Sequence, residues 1–219
     1  SSSGLVELDA WSERWQAIFE DADAAQGVRI EPDLEKLDLS VRRFVPLDEL
    51  RASDSGRIVG PKAAKLGELR AHYRPQVSRG VAIPFGLFRQ EALEQPHPGG
   101  GTVFDWMVRS YRDLEQVAAD DPARAAKAEA FRAELYDIIT STTPSEGFQQ
   151  ALRAAMKEAF GAAEPPGVFV RSDTNVEDLA GFTGAGLNLT LPNVVGFDKL
   201  LKSIARVWAS PFTSRAFAW

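Results

Sequence analysis

Apolar residues recur at helical spacing over residues 5–25, where Leu5, Leu8, Trp11, Trp15, Ile18 and Phe19 line one face of an amphipathic helix. Its two tryptophans read as packing anchors rather than ligand platforms. Leu37 to Val45 partly alternates and predicts a strand closed by Pro46, with Leu47–Ala52 as a short helical turn. Ile58-Val59 then runs into Gly60, and Pro61 stands in the first turn of a helix, where its missing N–H costs little. Gly80–Phe88 predicts a buried strand bent at Pro84. After a glycine-rich loop at Gln95–Gly101, which reads as flexible, the pattern turns helical. Helices are predicted at Phe104–Ala118, Pro122–Thr140 and Pro144–Phe160. The apolar run Val168–Val170 predicts a strand, Leu187–Leu191 another, and Asp198–Trp208 an amphipathic helix.

Composition narrows the classes without naming one. With 219 residues and 44% hydrophobic content, the chain can bury a substantial core, as one large domain or two lobes. The balance of 25 Lys+Arg against 31 Asp+Glu, with no basic tract, argues against nucleic acid as a partner. Cysteine is absent, which excludes disulfides, thiolate metal sites and a cysteine nucleophile, and agrees with a cytoplasmic location. No apolar run reaches the roughly 18–20 residues that span a bilayer, so no membrane partner is expected. The Ser-Ser-Ser-Gly start and the end at Trp219, inside a helical pattern with no stop signal, read as the ends of a fragment.

Two segments carry candidate chemistry. In Val168–Gly186, an apolar run delivers Arg171, hydroxyl, amide and carboxylate groups follow, and Gly181, Gly184 and Gly186 end the segment. A fixed guanidinium and close-approaching backbone N–H groups suit a phosphate chain. Taken alone, a buried strand, a polar turn and a surface salt bridge explain the segment better. In Ile58–Arg70, Lys62 sits at a helix start, where exposed first-turn N–H groups and an ammonium make a candidate anion site; a merely solvated lysine is the plainer reading. Neither the P-loop nor the dinucleotide glycine spacing is present, and the protein-kinase motifs are missing. His72 and His97, the two histidines, read as surface residues.

The two segments together carry a family resemblance. Val59-Gly-Pro-Lys62-Ala-Ala-Lys-Leu-Gly-Glu-Leu69 resembles the Val-Gly-Gly-Lys-Gly/Ala-Ala-Asn-Leu-Gly-Glu signature of phosphoenolpyruvate synthase and pyruvate phosphate dikinase. Val81–Gly86 resembles the family's Val-Pro-x-Gly-Phe region with its residues rearranged. Val170-Arg171-Ser172 with Glu177-Asp178-Leu179 is similar to Val-Arg-Ser-Ser-x-x-x-Glu-Asp-Leu. Phe182–Ala185 stands where the family has Phe-Ala-Gly-Gln, and Val207–Ala216 resembles its Trp-Ala-Ser-Leu-Phe-x-x-Arg-Ala helix.

The resemblance implies an α+β fold: an incomplete ATP-grasp-like nucleotide-binding domain with a helical subdomain inserted in the middle. Residues 1–52 would form an extension, 53–100 and 164–219 the two parts of the nucleotide lobe, and 101–163 the helical subdomain. In the family, ATP donates a phosphoryl group to a histidine on a separate domain, which carries it to pyruvate or another acceptor. Carried over by position, Lys62 and Arg171 would be catalytic and would hold the triphosphate, while Gly184, Ala185 and Gly186 would cover it. Glu177 and Asp178 would order Arg171 or the loop from behind, in preference to binding metal. Mg²⁺ is implied with ATP, its ligands being expected downstream of Trp219 with the phosphohistidine and acceptor domains. The isolated chain is then expected to retain part of the site without completing transfer.

Departures from the pattern bear on these expectations. Pro61 and Ala63 replace glycines beside Lys62, and Thr183, Ala185 and Gly186 alter the Phe-Ala-Gly-Gln-Gln loop. Ser172-Asp-Thr-Asn175 is closer to the polysaccharide water dikinases, which leaves the acceptor open. A non-catalytic nucleotide-sensing or interaction module is the alternative from another class, and retention of the motifs for packing alone is a third.

Overall fold

The computed structural model describes residues 34–118, 120–162, 167–175 and 189–217. The helix expected at residues 5–25 lies outside them.

Mixed helix and sheet is what the patterning produces. Strand β1 (Val45–Pro46) pairs antiparallel with β2 (Val81–Ala82), and between them runs helix α1 (Pro61–His72). A short helical segment α2 (Phe85–Phe88) continues into a π-helical turn at Arg89–Leu93. Three long helices follow: α3 (Val103–Glu115), α4 (Pro122–Thr140) and α5 (Glu146–Phe160). Strand β3 (Val168–Arg171) pairs antiparallel with β4 (Thr190–Val194), and the chain goes on through α6 (Phe197–Ala209) to α7 (Ser214–Phe217).

The long helices begin where their side chains can satisfy free backbone donors. Thr102 Oγ1 accepts from the Asp105 N–H at 3.1 Å, while the Asp105 carboxylate accepts from the Thr102 N–H at 3.0 Å, a reciprocal cap for α3. Asp121 caps α4 through the Ala123 N–H at 2.8 Å, and Ser145 caps α5 through the Phe148 N–H at 3.2 Å. Gly161, in the left-handed region at φ 79°, ends α5.

Three apolar clusters hold these elements. Phe148, Leu152 and Met156 of α5 meet Phe197, Leu200 and Ile204 of α6, with Val168 and Val170 of β3 packed against them. Phe131, Leu135 and Ile139 of α4 form a second cluster with Val103 and Leu114 of α3. Trp208 touches both clusters and ties the helical middle of the chain to β3–β4. The third, around Leu50, Val59 and Ala64, seats α1.

The structure corrects several sequence expectations. The strand expected at Leu37–Val45 is reduced to its last residue plus Pro46. Asp38 instead accepts from both the backbone N–H (3.0 Å) and the hydroxyl (2.6 Å) of Ser40, a local turn that competes with sheet pairing. The strand expected at Gly80–Phe88 stops at Ala82, and Pro84 starts a helical turn, with the Leu87 N–H donating to its carbonyl at 3.0 Å. The second strand of the β3–β4 pair lies at Thr190–Val194, which includes the last two residues of the expected Leu187–Leu191, while Leu187 and Asn188 lie outside the described residues. Its register shifts between Val168 and Val170, where Asn193 takes φ 48° in a bulge.

The Gln95–Gly101 loop is tied rather than loose. The His97 N–H donates to the Gly101 carbonyl and the Gly100 N–H to the His97 carbonyl, both at 2.9 Å. His97 is correspondingly buried, not a surface residue, and its ring stacks on Trp106 at 4.7 Å between centroids. Its Nδ1 accepts from the Gly99 N–H at 3.0 Å. His72 is exposed as expected, 3.1 Å from the Glu68 carboxylate.

Candidate functional site: the α1 N-terminus against the end of β3

Strand β3 alternates by the period of two. Val168 and Val170 turn toward the core, while Phe169 and Arg171 share the opposite, exposed face. The guanidinium is thus carried at the strand's end without being drawn into the interior. Ser172 is buried immediately beyond it, and its N–H donates to the Leu189 carbonyl at 2.9 Å.

Helix α1 meets the chain at this point. Pro61 is its first residue and brings no N–H. The next two donors, the N–H groups of Lys62 and Ala63, both go to the carboxylate of Asp173, at 2.9 and 3.2 Å. The Ala64 N–H already bonds the Gly60 carbonyl at 3.3 Å. Each first-turn donor therefore has an acceptor, as buried main-chain groups require. The Lys62 ammonium donates to the Ser172 carbonyl at 3.4 Å, one residue along from Arg171. The sequence expectation of exposed first-turn N–H groups is corrected: an anion does occupy the α1 N-terminus, and it belongs to the chain itself.

Glycine at position 60 follows from this approach. A Cβ there would stand 2.5 Å from an Asp173 carboxylate oxygen and 2.7 Å from the Asp173 carbonyl carbon, closer than real Cβ atoms come. Helix α1 is held at its other end too. The buried Arg70 donates to the Asp48 carboxylate at 3.1 and 3.0 Å and to the Val77 carbonyl. Nearby, Glu68 is held below the ordinary carboxylate range, first by the Ala52 N–H and then by His72.

Lys62 and Arg171, placed apart by the sequence, are thus brought to one edge of the fold. Asp173, Ser172 and Gly60 stand in the motifs of the sequence but were given no role at the site by sequence reasoning. The available signal was an acidic residue two positions after the strand arginine, where the family motif carries serine. Gly184, Ala185, Gly186, Glu177 and Asp178 lie outside the described residues. Among the described residues, no group of three or more His, Asp or Glu side chains could hold a metal ion, and no helix is long and apolar enough to cross a membrane.

The family model for the pyruvate phosphate dikinase AMP/ATP-binding domain matches residues 56–219, and so contains both segments. The chain belongs to this family. Similar curated proteins include a rifampicin phosphotransferase of a Streptomyces species, 28% identical over 83% of this chain and 19% of the relative. A phosphoenolpyruvate synthase of Escherichia coli K12 is 30% identical over 78% of this chain and 20% of its own length. A probable phosphoenolpyruvate synthase of Methanothermobacter thermautotrophicus is 30% identical over 82% and 24%, respectively. This member of the pyruvate phosphate dikinase AMP/ATP-binding family spans about a fifth of the length of the first two relatives.

Proposed function

We propose that the chain is the ATP-binding portion of a dikinase-type phosphotransferase, built on an ATP-grasp-like lobe in which residues 101–163 are a helical insertion. Phosphoryl from ATP would pass to a histidine on a separate domain and from there to pyruvate or a related acceptor. The observation that carries this reading is the Asp173 contact, which brings the Lys62 helix to the end of the Arg171 strand inside the matched family region.

In this reading Lys62 supplies a compact positive charge and Arg171 a planar fork of donors. Together they fix the phosphate chain and offset charge as it redistributes during transfer. Gly184, Ala185 and Gly186 close over it, and Glu177 and Asp178 order Arg171 or that loop; these roles rest on the family resemblance. Mg²⁺ bound with the nucleotide would offset part of the phosphate charge. Its carboxylate ligands are assigned outside these 219 residues, in keeping with the greater length of the relatives. Relatives named for rifampicin and for phosphoenolpyruvate share this stretch, which supports a common nucleotide role with the acceptor chosen elsewhere.

Titration of the chain with ATP tests the reading. Lys62→Ala and Arg171→Ala are each expected to weaken binding by roughly tenfold to a hundredfold, the equivalent of one charge-assisted contact. Wild-type affinity in both variants would overturn it. The second reading, a nucleotide-sensing module, is favoured by Ala185 and Gly186 standing where the family carries glutamines. ATP binding without phosphohistidine formation in the full-length protein would select it.

A further inference from the structure

We infer that Asp173 is a positioning residue, which sets the spacing between Lys62 and Arg171 by fastening the first turn of α1 to the end of β3. The inference rests on the proposed nucleotide reading and adds a role to a residue outside the phosphate-gripping pair. The two oxygens of one carboxylate meet two successive N–H groups, those of Lys62 and Ala63, across 111 and 110 residues of chain. Pro61 supplies no N–H, and Ala64 bonds Gly60, so Asp173 accounts for the donors that this turn leaves open. Gly60 admits the close approach, and a Cβ there would collide with the Asp173 side chain and backbone.

This arrangement divides the labour at the helix start. The main-chain donors are spent on holding two segments together, so the grip on an incoming phosphate comes from the side chains of Lys62 and Arg171. A serine at position 173 presents one oxygen, whereas the aspartate side chain presents two at fixed separation. The contact is therefore stiffer than the family's Ser-Ser pattern would make it.

The experiment uses the 219-residue chain as wild type, Asp173→Asn, Asp173→Ala and, as a control for simple destabilisation, Leu135→Ala. Leu135 is buried in the α3–α4 cluster, which includes no residue of α1 or β3. Amide hydrogen exchange is read at Lys62 and Ala63, and ATP affinity by titration under conditions where every variant is folded. In Asp173→Ala the two amides are expected to lose protection selectively and ATP affinity to fall roughly tenfold or more. Asp173→Asn, with one acceptor oxygen left, is expected to fall between. Leu135→Ala is expected to lower the unfolding midpoint with the protection of Lys62 and Ala63 and the ATP affinity unchanged.

Unchanged protection of Lys62 and Ala63 in Asp173→Ala overturns the fastening. Lost protection with wild-type ATP affinity overturns the positioning role. A wild-type chain that takes no ATP overturns the nucleotide reading instead, and the exchange arm still decides whether Asp173 ties the two segments.

Discussion

Glu91 makes the sharpest stability test in the fold. It lies in the π-helical turn after α2, is 2% exposed, and faces the N-cap of α5. Its carboxylate accepts from the Ser145 N–H at 2.7 Å, the Ser145 hydroxyl at 3.1 Å and the Gln90 side-chain amide at 2.9 Å. Hydrogen bonds to a charged group contribute about 1.5–3 kcal/mol each, and bonds sharing one carboxylate do not add in full. Ser145 is itself exposed, so water can recover its donors once the carboxylate is gone. These opposing effects place the cost of Glu91→Ala at about 2–3 kcal/mol, the upper part of the range for one such bond. For a chain of this size, that corresponds to a fall in Tm of about 4–12 °C. Glu91→Gln keeps an acceptor for the Ser145 N–H and lets the hydroxyl rotate to accept, and is expected to lose about 1 kcal/mol. Urea unfolding followed by far-UV circular dichroism measures both. A loss below about 0.5 kcal/mol in Glu91→Ala, or equal losses in the two variants, would refute a role for the carboxylate in seating α5.

Two further predictions concern single contacts. Gly67→Ala should gain about 1 kcal/mol in helix propensity. Its Cβ would stand 2.6 Å from Leu50 Cβ and carbonyl oxygen and 2.8 Å from the Leu47 carbonyl, so overpacking of about 1–3 kcal/mol should outweigh the gain. A stabilised variant in thermal unfolding would contradict that geometry. The Asp105 carboxyl is held below the ordinary range, first by the Thr102 N–H and then by its hydroxyl. A depressed folded-state pKa contributes stability that is present above the unfolded value and is lost as pH falls through the folded one. Asp105→Asn should therefore flatten part of the acid limb of the stability profile while leaving its alkaline limb in place; an unaltered acid limb would count against the cap.

The helical part of the fold was readable because its determinants are local. Helical periodicity places α3, α4 and α5 within two residues of expectation at their starts, and Thr102, Asp121 and Ser145 cap those starts in the structure. The strand at Leu37–Val45 failed because Asp38 and Ser40 bond each other, and period alone cannot weigh that competition. His97 was misplaced because the stack on Trp106 depends on a loop closing around it. Lys62 and Arg171 were picked out by residue type and family pattern, and the structure sets the Lys62 ammonium at the residue that follows Arg171. Asp173 was given no role, since its meaning lies in main-chain donors more than a hundred residues earlier.

The same separation has a consequence for assembly. The contacts within α3–α5 include many local ones, but the Lys62–Asp173 junction forms only after the intervening chain has brought its ends together. The entropy lost in such a closure grows slowly with length, and ordered helices between the ends alter it more than added residues do. Lesions in the helical middle, such as those that loosen α4 from α6, are thus expected to slow this closure while leaving the contacts of the closed junction as they are. Such a lesion would act at a distance from both cations without moving either one in the closed state.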